Sequence, residues 1–503
     1  MRSFRLCCGY YSVCFYSGKS LLMASYKQFV HSSRWLLRYE WQGVLRSYTL
    51  LVILSVLLLT GGYALFYGHS VAMQRMVVMD SLRQDYRSRY DQLYGQLSAD
   101  TTTAQGKSDY AAAISPAVVE YRLYRTAHQE AAAFSALSIG VSDIANAYYP
   151  VRIKDIYQAA EEKISNPQQL VAGNFDLAFL VIYLLPLLAI GFSYQLLSLD
   201  KEQGTLALLT IQGGGVVCVL LFRLLLRYLL LLAGVLLLTF AGLLLAPAGS
   251  HFRSAELLFW IGITGIYLAF WMALIWFVIS WNRSSATNLV ALLFSWLLLL
   301  VIIPALVHFS LVRTATTDHT AVNASRQREI AWETWDLPQK DLLDSFYLRY
   351  PVYRNQSAYD TSELSMRRSM AYYQLAEDRM DRVLAAQEAT YQQELGMVMR
   401  AYSFSPSVYA QALLNRIAQT DVLDQSFFRE RVRVFRDSWK HYMYDFNFND
   451  RTFKAADYAT LPVYVPTADP GRISMLSKGL LYFGLLSAAF ALAGTMVLRR
   501  TQG

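Results

Sequence analysis

Residues 177–199 read LAFLVIYLLPLLAIGFSYQLLSL and contain no Asp, Glu, Lys or Arg. A helix of about 20 apolar residues is long enough to cross the roughly 30 Å hydrocarbon core of a bilayer. Other charge-free apolar runs of this length lie at residues 48–74, 228–252, 257–282, 284–312 and 479–498. Lipid offers no partners to backbone polar groups, so a helix is the default spanning structure. The sequence therefore predicts a mainly α, polytopic membrane protein with six transmembrane helices.

Two long polar inserts, residues 75–174 and 313–478, separate the first and last runs from the four clustered ones. Apolar residues recur at helical spacing over 118–137, and residues 100–106 and 165–168 have the composition of loops. We therefore predict a mostly helical domain in the first insert.

The second insert contains two segments with helical composition and periodicity, residues 364–402 and 419–449. Pro462, Pro466 and Pro470 predict an extended connector over residues 461–472, leading into the last span. We expect a second mostly helical domain here, and expect the two inserts to pack on each other or on a second copy of the chain.

Basic residues lie in the segments that six spans would place on one side of the membrane. Lys and Arg are enriched in cytoplasmic loops, so this side is predicted to be the cytoplasm, with both termini inside and both inserts outside. The residues are Lys27, Arg34, Arg38, Arg46, Lys201, Arg223, Arg227, Arg283, Arg499 and Arg500. The net charge of +8 is thus explained by topology, and no nucleic-acid partner is expected.

The ends of the chain and the cysteines complete this outline. Residues 1–22 read as a disordered or artefactual N-terminus, residues 23–47 as an amphipathic interfacial helix, and residues 499–503 as a cytoplasmic tail. Neither insert contains any of the cysteines, which are Cys7, Cys8, Cys14 and Cys218. The outer domains are therefore expected to be held by apolar cores rather than by disulfides.

The link after the second run reads DKEQGTLALL over residues 200–209. It resembles the segment that follows the second span in permeases of the ABC-2 type, and the branch with two extracytoplasmic domains has the same layout. Relatives include copper-enzyme maturation permeases. The matching residues, with Lys201 inside the motif, are Asp200, Glu202, Gly204, Thr205, Leu206 and Leu209. The chain departs from its relatives at Gln212-Gly213-Gly214-Gly215, where they often have a proline.

The resemblance implies an ATP-driven exporter subunit in the bacterial plasma (inner) membrane. Residues 200–227 would form a cytoplasmic segment that couples a separate ABC ATPase to the spans. ATP-Mg would be bound by that ATPase, and this chain would hold no cofactor. The expected partners are the ATPase, membrane lipid and a second permease, either an identical copy or a similar paralogue. The alternative is a non-transport membrane scaffold or sensor.

Two further groups of residues are candidates for function. Arg223 and Arg227 lie four apart in an apolar stretch, where they either reach the inner headgroups or face a polar pathway; we favour the headgroups.

Met73, Met76 and Met79 are weak candidates for a Cu(I) site, and packing is the preferred interpretation. We find neither a phosphate-binding loop nor a catalytic constellation, so no enzyme activity is expected in this chain.

Overall fold

The part of the protein that the structure describes is mainly helical, and six of its helices are long and apolar enough to cross a membrane. The number of spans therefore agrees with the prediction. A computed structural model describes residues 41–43, 47–129, 132–154, 174–205, 216–247, 250–314, 319–354 and 366–502. The predicted N-terminal segment 1–22 and most of the predicted interfacial helix lie outside these residues, as does the predicted loop 165–168.

The first four spans are α1 (Tyr48–Gly95), α4 (Leu177–Phe179, a π-helical turn Leu180–Leu184, and Leu185–Ser193), α6 (Val216–Leu244) and α7 (Ser254–Ile279). The fifth is α8 (Ser285–Leu297, a π-helical turn Leu298–Ile302, and Ile303–Thr314), and the sixth is α15 (Arg472–Gln502). A short helix, α5 (Ser198–Glu202), follows α4.

The first insert contains α2 (Ala104–Ile114), α3 (Pro116–Arg122) and strands β1 (Arg125–His128) and β2 (Tyr148–Val151). The second contains α9 (His319–Trp335), α10 (Gln339–Arg349), α11 (Met366–Tyr402), α12 (Pro406–Ala418), α13 (Val422–Phe448) and α14 (Ala455–Ala459). Short 3₁₀ turns cover Gln96–Ser98, Ala133–Ala136 and Pro351–Tyr353.

Helix α1 continues well beyond its apolar stretch. Its 48 residues span about 72 Å at 1.5 Å per residue, more than twice the thickness of the hydrocarbon core. The predicted first span, 48–74, is therefore the beginning of a single helix that continues far into the first insert.

Proline explains the two π-helical turns. Pro186 and Pro304 each follow a π-helical turn by two residues. Since proline has no N–H, the carbonyl four residues earlier loses its helical hydrogen bond. Within a membrane another polar group must donate to that carbonyl, because lipid cannot. The Tyr267 hydroxyl donates to the Ile182 carbonyl at 3.0 Å, which is the acceptor that Pro186 leaves open.

The third span begins earlier than the charge-free run indicates. Helix α6 covers Val216–Leu244, whereas the sequence predicted 228–252, so Arg223 and Arg227 lie inside the helix rather than in a cytoplasmic link. The predicted boundary was wrong because it treated both arginines as helix-ending charges. Partners on the preceding elements accommodate them, as described below.

The two inserts share one apolar core, and we call this part of the protein, which lies beyond one end of the spans, the outer region. Leu93, Val119 and Leu123 from the first insert pack in the same cluster as Phe346 and Trp439 from the second. The Tyr458 hydroxyl also donates to the Ala113 carbonyl at 2.6 Å. Of the two predicted arrangements, the inserts therefore pack on each other.

The predicted helix over 118–137 is wrong beyond Arg122. Helix α3 ends there, and β1 follows, pairing antiparallel with β2 from Arg125 opposite Val151 to His128 opposite Tyr148. The apolar spacing was misleading because short strands and helices share it, and a partner strand more than 20 residues away decides the outcome.

The main helices of the second insert agree with the sequence prediction. Helix α11 begins within two residues of the predicted start and α13 within three. Residues 461–469 contain neither helix nor strand, as the three prolines predicted.

Helix α12 belongs to the second insert but packs in the membrane bundle. Ala410, Leu413, Leu414 and Ile417 are fully buried in the same cluster as the six spans. The Ser407 hydroxyl donates to the Leu299 carbonyl at 3.0 Å, inside the π-helical turn of α8. The outer end of the bundle is therefore filled by a helix that the sequence did not single out.

Candidate coupling site

Residues 198–205 form a short, mostly exposed segment between α4 and the link that leads to α6. We call this segment the bracket. Helix α5 ends at Glu202, and Gly204 adopts a positive φ of 74°. A side chain at Gly204 would meet no neighbour within 4 Å, so backbone conformation rather than space favours glycine there. Lys201, Glu202, Gln203 and Gly204 are exposed at this end of the bundle.

Asp200 connects the bracket to the third span. Its carboxylate lies 2.5 Å from the Arg223 guanidinium, and both side chains are mostly buried. The Thr205 hydroxyl donates to the Asp200 carbonyl at 3.1 Å and lies 3.2 Å from its carboxylate. Two residues that the sequence placed in separate roles thus form one ion pair.

Lys201 and Glu202 connect the bracket to the turn between α7 and α8. The Lys201 ammonium donates to the Asn282 carbonyl at 3.0 Å. The Ser285 N–H donates to the Glu202 carboxylate at 2.9 Å, and the Ser285 hydroxyl donates to the Ser198 hydroxyl at 2.8 Å. The bracket is therefore bonded to the turn between α7 and α8 as well as to α6.

Arg227 lies one turn further along α6 and binds α4 directly. Its guanidinium donates to the Phe192 carbonyl and lies 4.9 Å from the centre of the Phe192 ring. Together with the Asp200 pair, this contact explains how α6 begins within a stretch containing two cations. Headgroup contact and a pathway role both remain predictions for these arginines.

Of the other predicted residues, the three methionines lie away from this site. Leu206 and Leu209 lie outside the described residues. Met73, Met76 and Met79 lie on α1, and Met73 is exposed. Within the described ranges, no three His, Cys, Asp or Glu side chains are grouped so that they could hold a metal ion. A methionine site stays a weak prediction.

A comparison of the sequence with known protein families gives a match that covers most of the helices described above. Residues 34–376, more than half of the chain, match the family described as "ABC-2 family transporter protein". The chain belongs to this family. A second match covers residues 320–467 and is described as "Domain of unknown function (DUF3526)". No curated protein and no solved structure matches the chain.

Membership of the ABC-2 family makes the chain a membrane subunit of a transporter, and the family works in general with an ABC ATPase. The match spans the first five membrane helices and the bracket between α4 and α6. The DUF3526 match covers α10 to α14 and includes α12, so the region of unknown function contributes a helix to the core of the membrane bundle.

A second charged cluster, which the sequence analysis missed, joins the outer region to the bundle. The buried Arg416 of α12 lies 2.5 Å from Asp424 of α13 and also pairs with Asp469 of the connector. Arg472, at the start of α15, lies 2.7 Å from Glu256 of α7. The only sequence signal was charge next to span ends, which headgroup contacts explain equally well.

Proposed function

We propose that this chain is the permease subunit of an ATP-driven exporter in the bacterial inner membrane. In this proposal both termini and the bracket are cytoplasmic, and the outer region faces the opposite side. A separate ABC ATPase binds ATP-Mg and engages the bracket, while this chain binds no nucleotide and catalyses no reaction. The positive-inside distribution of Lys and Arg supports the orientation.

The observation that carries the proposal is the bonding of one exposed bracket to three parts of the bundle. Asp200 is paired with α6, and Lys201 and Glu202 are bonded to the turn between α7 and α8. The bracket itself continues from α4. A displacement of the bracket by a partner would therefore be transmitted to spans two to five together.

The exposed apolar surface of the bundle supports a second permease as a partner. The fifth and sixth spans are among the least buried helices of the single chain. Leu293, Phe294 and Leu297 on α8 are exposed large apolar residues. We propose that a second permease, identical or similar, covers part of this surface and that lipid covers the rest.

Co-purification of the ATPase tests the proposal. We expect a tagged chain extracted from native membranes to retain an ABC ATPase. Glu202→Lys reverses an exposed charge of the bracket, and Gly204→Pro forces φ to about −65° where the protein has a positive value. Both variants should reduce ATPase recovery at least fivefold, since each alters the proposed contact surface.

Gly191→Ala is the matched control. Gly191 lies in α4 near the bracket, and a methyl group there would meet no neighbour within 4 Å. It should leave ATPase recovery unchanged. Absence of any ATPase from the wild-type preparation, or equal recovery with all variants, would contradict the proposal and favour a scaffold or sensor.

A further inference from the structure

Arginine and tyrosine side chains alternate across one face of the first insert. The Arg125 guanidinium carbon lies 4.1 Å from the centre of the Tyr86 ring, and that of Arg89 lies 6.0 Å from the same ring. Arg89 is also 4.2 Å from the Tyr124 ring, and Arg152 is 3.8 Å from it. We call these five residues the arginine–tyrosine ladder.

The ladder is built from three segments that are distant in sequence. Tyr86 and Arg89 lie on α1, Tyr124 and Arg125 at the start of β1, and Arg152 directly after β2. Backbone pairing of β1 with β2 brings the last two segments together. The ladder is thus part of the folded insert and does not depend on one mobile side chain.

The cationic surface extends beyond the ladder. The Arg89 guanidinium donates to the Arg122 backbone carbonyl at 2.6 Å, which joins α1 to the end of α3 beside the ladder. The Lys154 ammonium lies 5.5 Å from the ring of the exposed Tyr121. Cations that rest on aromatic faces gain electrostatic attraction while their N–H edges remain directed elsewhere.

Carboxylates neutralise this surface only in part. Asp85 lies 3.0 Å from Arg89, whereas Arg125 and Arg152 have no carboxylate within ion-pair distance among the residues that the structure describes. The Nε atoms of Arg89, Arg125 and Arg152 are buried without an acceptor there. Burial lowers the pKa of Arg125, although Tyr86 and Tyr90 act in the opposite direction. An anion would therefore relieve an unfavourable concentration of positive charge.

The height of the ladder above the membrane limits the source of that anion. Arg75 is the first charged residue after the apolar part of α1, and Arg89 lies on the same unbroken helix. At 1.5 Å per residue, Arg89 is about 21 Å further along the helix axis. The headgroup layer extends only about 5 to 8 Å beyond the hydrocarbon core. Headgroups of the same membrane are therefore out of reach.

We propose that the arginine–tyrosine ladder, with Lys154, is a binding site for a soluble molecule that carries several phosphate groups. Guanidinium forks match phosphate oxygens in bidentate hydrogen bonds, and several adjacent cations require more than one negative charge. In the proposed orientation this site faces the extracytoplasmic side. The site is independent of the bracket, so it does not rest on ATPase coupling.

Titration of the full-length protein in nanodiscs with sodium tripolyphosphate tests this site. Binding is measured by calorimetry at two salt concentrations, and affinity should fall as salt rises because exposed charges are screened. The double variant Arg125→Gln/Arg152→Gln should bind at least tenfold more weakly. Lys154→Gln changes only an exposed side chain and should bind about threefold more weakly, which keeps the test decisive if the double variant is unstable.

Arg451→Gln is the matched control. Arg451 lies 4.4 Å from the Phe446 ring but is paired with Asp445, so it is a single neutralised example of the same stacking. It should leave tripolyphosphate affinity within twofold of wild type. Failure of the wild-type protein to bind, or equal weakening in Arg451→Gln, would overturn the proposal.

Two further probes distinguish the chemistry of the ligand. Trisodium citrate offers carboxylates in place of phosphates, and vesicles containing phosphatidylglycerol offer phosphates fixed in a membrane. We expect tripolyphosphate to bind more tightly than citrate and the vesicles to show no ladder-dependent binding. Tighter binding of citrate, or vesicle binding that Lys154→Gln abolishes, would contradict a soluble phosphate ligand.

Discussion

At the scale of single residues, the pair between Asp200 and Arg223 explains two features at once. It allows a cation to lie inside α6 and it fixes the bracket to that helix. Each side chain is about one-sixth exposed. Ion pairs that are mostly shielded from water are costly to break one partner at a time, because the remaining charge is left uncompensated. The destabilisation caused by the two single substitutions, added together, should therefore exceed the destabilisation caused by the double substitution.

A double-mutant cycle measures this coupling. We expect Asp200→Ala and Arg223→Ala to lower the unfolding free energy of the purified protein, with a coupling energy of about 1 to 3 kcal/mol. The exposed pair Arg433–Glu430, at 3.2 Å, is the control cycle, and its coupling should be about 0.5 kcal/mol or less. Equal coupling in the two cycles would show that the bracket pair has no special structural role.

Asp424, in the junction between the outer region and the bundle, makes stability depend on pH. Burial raises its pKa to about 7, although the guanidinium of Arg416 acts in the opposite direction. The carboxyl of an unfolded chain titrates near pH 4, so the folded protein holds this proton more tightly. The stability contributed is therefore full below about pH 4 and is lost as the pH rises through about 7.

Substitution by a neutral side chain tests this dependence. We expect Asp424→Asn to gain stability relative to wild type as the pH is raised from about 5 to about 8, by on the order of 1.4 kcal/mol per unit of pKa shift. Asp437→Asn removes an exposed carboxyl and controls for net charge. Thermal unfolding at each pH is the measurement. A difference between Asp424→Asn and wild type that stays constant, or falls with rising pH, would contradict the burial argument.

At the scale of elements, α12 is the link between the region of unknown function and the spans. Its apolar face lies in the bundle core, and its contact with α15 is close. An added Cβ at Gly479 of α15 would lie 2.3 Å from Leu413 Cδ1 and 3.1 Å from its Cγ. The absence of a side chain at Gly479 is therefore what allows α12 to sit against the last span.

A pair of glycine substitutions in α15 tests this packing. We expect Gly479→Ala to lower the unfolding free energy by about 1 to 3 kcal/mol, because the core there has no room for a methyl group. Gly484→Ala, in the same helix, meets no neighbour within 4 Å and should be neutral or slightly stabilising. Adding Leu413→Ala to Gly479→Ala should recover part of the loss. Equal effects at the two glycines would mean that α12 does not pack as described.

The sequence predicts individual elements well where a physical signal is local. Charge-free runs locate the six spans, and the prolines at 462, 466 and 470 locate the connector. Prediction fails where a distant partner decides the outcome. Asp200 pairs with Arg223 inside α6, and β1 pairs with β2. Neither Asp200 nor β2 lies within the stretch of sequence from which α6 or β1 would be predicted.

At the scale of the whole molecule, the two inserts and the outer ends of the spans are joined into one structure. The shared apolar core unites the inserts, and α12 with the Arg416 and Arg472 pairs connects them to the bundle. The candidate site was only partly visible from the sequence. The sequence groups its residues, which stays a prediction, but it does not show the bonding of Asp200 to α6 or of Lys201 and Glu202 to the turn before α8.

Photocrosslinking from Gln203 asks whether an ABC ATPase engages the exposed bracket, as we propose. Gln203 is exposed between Glu202 and Gly204, so a photoreactive residue there should not disturb the contacts of Asp200 or Lys201. Val352, which is exposed on the outer region, is the control position. We expect a crosslink from Gln203 to an ABC ATPase in native membranes and none from Val352. No ATPase crosslink from Gln203, or one of equal yield from Val352, would contradict it.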